Sequence, residues 1–140
     1  RLLADPYALN PAGERSGPDG NDQRAPAYDS VAGGWTAPFV MAAINTRIVR
    51  RSNALLGYEY GRDFRYDESV LCGGGLLGFA TASATATALG ALLVGVGVAP
   101  TRVLLEKLFL PKPGDGPSAN ARERGFFDIL LIGKSQCHWR

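Results

Sequence analysis

Several residue types are scarce in this chain, and each scarcity narrows its chemistry. Only two of the 140 residues are cysteines, Cys72 and Cys137, so we expect no disulfide scaffold and a reducing compartment. The single histidine, His138, stands beside Cys137, and this pair lacks the further ligands that a zinc site needs. Neither a serine nucleophile motif nor a catalytic carboxylate pair is recognisable. The sequence therefore predicts no metal site and leaves the catalytic residues unknown.

An excess of charge is also missing. The 15 basic and 13 acidic side chains leave a net charge of +2, and no basic tract alternates with aromatic residues. This balance predicts no nucleic-acid partner. The length fits one domain with its own core. Because the chain begins with Arg1 rather than methionine and ends soon after an apolar run, we expect a piece of a longer protein.

Composition divides the chain into two regions. Residues 1–34 are rich in proline, glycine, aspartate and asparagine and have no long regular period, which predicts a loop and linker region. Its part at 10–26 should be exposed or poorly ordered. Residues 35–140 contain the periodic segments. We expect them to form part of a substrate or oligomerisation domain that is truncated at the C-terminus.

A long helix is predicted over residues 36–56. Thr36 can cap its start, Pro38 suits its first turn, and Gly57 suits the left-handed position after its end. Four apolar residues recur at the spacing of one helix face, which we predict to be buried: Val40, Ile44, Ile48 and Leu55.

Three arginines at i, i+3 and i+4 form a basic ridge on the same helix: Arg47, Arg50 and Arg51. Arginine forks bind phosphate or carboxylate through two hydrogen bonds, so this ridge is the candidate anion site. Polar neighbours complete it: Asn45, Thr46 and Asn53. The alternative is that the arginines pair with acids of the following segment: Asp63, Asp67 or Glu68.

Further strands and short helices are expected around this helix. Residues 58–71 mix aromatic and charged side chains and indicate a strand with one wet face, whereas residues 126–133 indicate a buried strand. A short helix is predicted at 100–110, and Ser118 can cap a short turn that Gly125 ends.

Charge is absent throughout residues 69–101. Small residues recur there at every fourth position and would form a smooth helix stripe: Gly74, Gly78, Ala82, Ala86 and Gly90. We predict a tightly packed, half-buried helix that breaks within 90–97. The alternative is a membrane or lipid contact over residues 69–99, which are long enough but weakly apolar.

The sequence GGGLLG at 73–78 matches G-x-G-x-x-G, which can hold a pyrophosphate at a helix N-terminus. A strand at 92–98 followed by Arg102 would complete such a site. The charged segment before the glycines and the lack of an acidic residue before Arg102 favour a plain glycine-rich turn instead. Both interpretations remain open at this point.

Three motifs give the chain a recognisable family resemblance: Asn45-Thr46-Arg47, Arg50-Arg51-Ser52-Asn53, and PGDGPS at 113–118. With these motifs, and from about Ala4 onward, the chain resembles the saccharopine dehydrogenase-like oxidoreductases. The most similar branch is that of the trans-acting enoyl reductases, which work with polyketide synthases in lipid and glycolipid assembly.

The resemblance implies a fold and an activity. In that family an N-terminal Rossmann domain binds NADPH, and this chain is similar to the portion that follows it. We therefore expect an α+β fold with a long helix, antiparallel strands and a small-residue-rich apolar helix, as the C-terminal portion of a Rossmann-type oxidoreductase. The full-length protein would reduce an enoyl bond of an acyl chain, whereas this fragment would be inactive alone.

The resemblance also implies partners and a location. The acyl substrate would be carried by a polyketide synthase, the candidate anion site would face phosphates of the cofactor or the carrier, and the protein could form a homo-oligomer. We expect it in the cytoplasm, or peripherally at the inner face of the plasma membrane. Two alternatives stay open: a membrane- or lipid-associated interaction module without catalytic activity, and a nucleotide-binding domain that uses residues 73–78.

Overall fold

A computed structural model of the chain describes residues 5–108 and 116–134. Cys137, His138 and the first part of the PGDGPS motif lie outside the described residues. The chain divides into two compact units, Arg1–Gly90 and Ala91–Arg140. A small antiparallel sheet and helices make up the predicted α+β fold. In chain order the elements are β1 (Ala27–Asp29), β2 (Gly34–Pro38), α1 (Ala42–Leu55), β3 (Ser69–Gly73), α2 (Gly75–Gly97), α3 (Ala99–Leu108) and α4 (Ala119–Arg124).

The sheet of the first unit contains the residues that were predicted to begin the long helix. Its order is β1-β2-β3, with both pairs antiparallel, and β2 lies in the centre. Thr36 pairs with Ala27 in β1 and donates its hydroxyl to the Ala27 carbonyl at 3.1 Å. Pro38, which cannot donate to a ladder, closes the strand. The predicted start at Thr36 is therefore wrong, because pairing takes residues 36–38 into the sheet and α1 begins at Ala42.

Helix α1 turns inward the face opposite to the one predicted. Ile44, Ile48 and Leu55 are 45%, 50% and 62% exposed, and Val40 precedes the helix at 54%. The buried side chains of α1 are instead mostly polar or small: Ala42, Thr46, Arg47, Arg50, Asn53 and Ala54. The predicted burial of the apolar stripe is wrong, because the loop before the sheet supplies acidic partners that stabilise the arginines inside.

The N-terminal part of the chain contributes buried residues, among them Tyr7 and Ala8. Within residues 10–26 Asn10 is buried and the other positions are exposed or half-buried, so the predicted exposure is wrong only at Asn10. The Tyr7 ring lies under the Arg50 guanidinium, with 5.5 Å between the guanidinium carbon and the ring centroid. The boundary between regions 1–34 and 35–140 stays a prediction.

The segment after α1 is only partly as predicted. Gly57 follows the helix with φ 70, which confirms its left-handed role. The predicted strand over 58–71 forms only as β3, from Ser69 onward. Upstream of Ser69, backbone groups are bonded to side chains: Asn53 donates to the Gly61 carbonyl, and Tyr66 N–H donates to Asp19. These groups are then unavailable for a sheet ladder.

Helix α2 continues from β3 and packs through small residues. Gly78 and Ala82 are its buried residues, so the predicted stripe is confirmed at these two positions, whereas Gly74 and Gly90 are exposed. The prediction of a tightly packed, half-buried helix is wrong, because most side chains of α2 are exposed in this chain. A Cβ on Gly78 would lie 2.1 Å from the Gly73 carbonyl oxygen, so only glycine permits this return of the helix onto the end of β3. The helix ends at Gly97, within the predicted break, and the predicted short helix follows as α3.

The described part of the second unit is helical and extended. Ala121 N–H donates to the Ser118 hydroxyl at 3.2 Å and Gly125 follows α4, so the predicted cap and end are confirmed. Residues 126–134 form no strand, and Phe126 and Phe127 are 93% and 87% exposed. The predicted buried strand is wrong, because the described residues of this unit hold no other strand to pair with it.

Candidate functional site

A buried polar cluster joins the N-terminal loop to α1, and we name it the arginine–aspartate network (Asp19, Asp22, Arg47 and Arg50). Arg50 Nε donates to Asp19 Oδ2 at 2.6 Å, and the two side chains are 3% and 7% exposed. The remaining Arg50 nitrogens donate to the carbonyls of Pro6 and Tyr66, at 3.1 and 2.9 Å. The fork is therefore held on three sides by this chain itself.

Arg47 is bound in a similar way by the second aspartate. Its Nη1 donates to Asp22 Oδ2 at 2.7 Å and to the Thr46 hydroxyl at 3.1 Å. The Thr46 hydroxyl in turn lies 2.7 Å from the Ala42 carbonyl oxygen and 3.1 Å from Asp22 Oδ1, and its single proton is donated to one of these two acceptors. Thr46 is the largest fully buried side chain among the residues that the structure describes, so this polar contact lies in the interior.

Asp19 is the centre of the network. Its Oδ2 accepts from Arg50 and from the Tyr7 hydroxyl, and its Oδ1 accepts from Tyr66 N–H at 3.2 Å. Its own backbone N–H donates to the Tyr7 hydroxyl at 2.9 Å. Three distant segments, those of Tyr7, Arg50 and Tyr66, therefore meet at one carboxylate.

The other candidate residues also have partners within the chain. Asn45 donates to Glu68 Oε2 at 2.9 Å, and Asn53 donates to the Gly61 carbonyl at 3.0 Å. Arg51, the exposed member of the ridge, donates from Nη1 to the Leu9 carbonyl. The structure thus brings Arg47 and Arg50 together in the interior, whereas Arg51 lies at the surface.

The acidic partners of the arginines differ from those the sequence suggested. Asp63, Asp67 and Glu68 do not form the ion pairs; Asp19 and Asp22 of the loop do. Sequence reasoning missed both aspartates because they lie in a stretch without periodicity, and their only signal was acidic charge upstream of a basic helix. Because Asp22 and Thr46 hold Arg47 Nη1 and all three Arg50 nitrogens donate within the chain, the buried pair acts in this arrangement as a scaffold. Its role toward a cofactor or carrier phosphate stays a prediction.

Two tyrosines at this network have raised pKa values. Burial is the main cause at Tyr7, with the Asp19 carboxylate adding to it, although the Asp19 backbone N–H and Arg50 act in the opposite direction. Burial also leads at Tyr66, whose hydroxyl donates to Glu68 Oε1 at 2.8 Å. Both phenols therefore stay protonated at neutral pH and act as hydrogen-bond donors.

A cavity of about 220 Å³ opens beside the network. Its lining is rich in acids, with Asp19, Asp22, Asp67 and Glu68 alongside Arg50 and Arg65. Two of these acids are already neutralised by the buried arginines. Within residues 5–108 and 116–134, no group of three or more histidine, cysteine, aspartate or glutamate side chains could hold a metal ion.

A larger groove of about 390 Å³ lies elsewhere in the first unit. One side is the loop at 24–26 and the other is a face of α2. The residues that line it combine an arginine, apolar groups and two hydroxyls: Arg24, Pro26, Phe79, Ser83, Ala86 and Thr87.

The glycine tract at 73–78 lacks the setting of a dinucleotide site. β3 before it belongs to an antiparallel sheet, and residues 92–97, part of the predicted second strand, are helical. Leu76 and Leu77 occupy the first turn of α2 and are 84% and 80% exposed. The residues present here do not fit a dinucleotide pyrophosphate, and a plain turn explains the glycines.

Comparison with known proteins gives the chain its relatives. It is 45% identical over 138 residues to a provisionally named trans-acting enoyl reductase of Mycobacterium tuberculosis, which covers 92% of this chain and 33% of that protein. Trans-acting enoyl reductases of Mycobacterium ulcerans and Mycobacterium bovis are 40% and 41% identical, each over 91% of this chain and 32% of their own length. No family model and no solved structure matches. The chain thus spans about a third of the curated relatives it matches, and these relatives are named as trans-acting enoyl reductases.

Proposed function

We propose that this chain is part of an NADPH-dependent enoyl reductase of the saccharopine dehydrogenase-like group. The enzyme reduces a carbon–carbon double bond of an acyl chain in lipid, glycolipid or polyketide biosynthesis. The observation that carries this proposal is the 45% identity over 92% of the chain to a relative named as a trans-acting enoyl reductase.

The cofactor belongs to the part of the relatives that this chain does not span. The glycine tract at 73–78 follows a strand of an antiparallel sheet and does not fit a pyrophosphate, and Asp22 and Asp19 form ion pairs with Arg47 and Arg50. Bound NADPH would supply the hydride, while this chain supplies folded surface on the acyl side. The 140 residues alone are accordingly inactive in reduction.

The partners and the location follow from the same proposal. The acyl group is delivered by a separate carrier, such as a polyketide synthase, because the relatives are named as acting in trans. The reductase works in the cytoplasm or at the inner face of the plasma membrane, and it could assemble as a homo-oligomer.

A chimeric enzyme tests this function. The matching third of the Mycobacterium tuberculosis relative is replaced by this chain, and NADPH consumption is measured with trans-2-decenoyl-CoA. The proposal expects activity within about tenfold of the intact relative, a loss of roughly 1.4 kcal/mol in transition-state stabilisation. A folded chimera without activity, beside an active parent, would refute it.

One observation favours a second function, a membrane- or lipid-associated interaction module. Helix α2 is long and apolar enough to cross a membrane by length and composition, with a mean hydropathy of 1.6 and 6% of its most apolar stretch buried. Against this, Gly78 and Ala82 pack inside the first unit, so the start of α2 is not free to enter lipid. Flotation of the chain with liposomes, before and after Leu93→Asp, decides between the two.

A further inference from the structure

The groove between residues 24–26 and α2 has a polarity that identifies a class of ligand. We propose that it binds the acyl chain and the linker phosphate of an acyl-phosphopantetheine. This inference rests on the proposed enoyl reductase function and extends it, because it places the acyl substrate on residues of this chain.

Arg24 is the cation of the groove. Arg24 is exposed, and among the described residues it makes no hydrogen bond or ion pair, in contrast to the buried Arg47 and Arg50. An unoccupied guanidinium can bind a phosphate through two parallel hydrogen bonds. Its five donors are therefore available to an anionic ligand.

The groove also has an apolar surface along α2. Phe79, Ser83, Ala86 and Thr87 lie at i, i+4, i+7 and i+8, so they share one face of α2. Between Phe79 and Thr87 the helix rises by about 12 Å, and the groove of about 390 Å³ is shallow and open to solvent. Pro26 of the loop and Phe79 of α2 supply its apolar surface, along which an extended hydrocarbon chain can lie.

Two hydroxyls, those of Ser83 and Thr87, line the groove as well. Thr81 and Thr85, outside it, donate to carbonyls four residues earlier at 2.9 Å each. Within the part of the chain that the structure describes, the hydroxyls of Ser83 and Thr87 make no hydrogen bond. They remain available for the amide and thioester carbonyls of a phosphopantetheine arm, which a simple alkyl chain lacks.

The structure also supplies a natural reporter for this groove. The Trp35 ring meets Phe79 edge-on, with 4.7 Å between ring centroids. A ligand that displaces Phe79 should therefore change the fluorescence of Trp35. The second tryptophan, Trp139, is removed by Trp139→Phe so that only Trp35 reports.

The test is a fluorescence titration of the 140-residue chain carrying Trp139→Phe, with trans-2-decenoyl-CoA as the probe and without NADPH. We expect saturable binding that Arg24→Ala weakens about fivefold to tenfold and that Ser83→Leu, which fills the groove, weakens by at least about tenfold. The matched control is Arg65→Ala, an exposed arginine outside this groove, and it should change the Kd by less than about twofold.

Other probes show which part of the acyl thioester is bound, and whether a lipid headgroup binds equally well. Free CoA and decanoate should each bind more weakly than the acyl thioester, because each keeps only part of the ligand. No saturable binding, equal Kd values in all variants, or equal binding to phosphatidylglycerol vesicles would overturn the inference. If acyl-CoA binding depends on Arg24 but the chimera is inactive, the groove is confirmed as an acyl site and the reductase function is rejected. If the chimera is active but neither Arg24→Ala nor Ser83→Leu changes binding, the reductase function stands and the groove is rejected.

Discussion

Asp19 Oδ2 and Arg50 Nε lie 2.6 Å apart, although 31 positions separate these residues in the sequence. Both side chains are nearly inaccessible to water. The pair fixes the N-terminal loop on α1 and brings the Tyr66 segment to the same place. Because a charge left alone in the interior is costly, this contact also determines which face of α1 is buried.

Removing one partner of this pair should strongly destabilise the first unit. Arg50→Ala leaves Asp19 buried without its cation, and we expect the free energy of unfolding to fall by about 3–5 kcal/mol. Arg65→Ala removes an exposed arginine and should cost about 0.5 kcal/mol or less. Urea unfolding followed by circular dichroism measures both, and equal midpoints for the two variants would contradict the role of Asp19 and Arg50.

The exposed apolar face of α1 gives the complementary prediction. Ile48 is half exposed, so Ile48→Gln should change the free energy of unfolding by less than about 0.5 kcal/mol. A buried isoleucine at this position would instead cost several kcal/mol when replaced, roughly 2–5 for truncation to alanine. The same urea titration distinguishes the two orientations of the helix.

Periodicity predicted the helix but not its orientation. The spacing of Ile44, Ile48 and Leu55 correctly indicated a helix, but the face that it predicted to be buried is the exposed one. That choice depends on Asp19 and Asp22, whose positions follow from tertiary contacts rather than from any local repeat. The binding role of the ridge accordingly remains a prediction from sequence.

Local signals succeeded where the cause itself is local. Ser118 caps the start of α4 and Gly125 follows its end, as predicted, because a cap acts within one turn. Strand predictions failed where a partner strand was needed: residues 126–133 have suitable side chains but no paired strand among the described residues of their unit. The groove at Arg24 could not be predicted, because its two sides come from separate segments.

Two glycines of α2 should respond oppositely to alanine. At Gly78 an added Cβ would meet the Gly73 carbonyl oxygen at 2.1 Å, so Gly78→Ala should destabilise the protein by about 1–3 kcal/mol. At Gly90 nothing lies within 4 Å, so Gly90→Ala should stabilise it by about 0.5–1 kcal/mol through helix propensity. Thermal unfolding of the two variants checks the sign of each change. A stabilised Gly78→Ala protein would show that α2 does not return onto β3.

Alkaline pH should weaken the fold through Tyr7 and Tyr66. Their pKa values are raised in the folded state, so their contribution to stability is complete below the unfolded value of about 10 and is lost as the pH rises through the folded values. Ultraviolet titration of the phenols measures this in the unchanged protein and in the variants Tyr7→Phe and Tyr66→Phe. Each substitution should remove one phenol that titrates late. Tyrosines that all titrate together near the ordinary value would contradict this prediction.

Calorimetric titration of the 140-residue chain, first with trans-2-decenoyl-CoA and then with NADPH, tests most directly whether this chain carries the acyl side of a reductase and not its cofactor side. We predict saturable heat for the acyl-CoA, diminished in Arg24→Ala, and none for NADPH. Saturable binding of NADPH, or binding of neither compound by the folded chain, would contradict that division of roles.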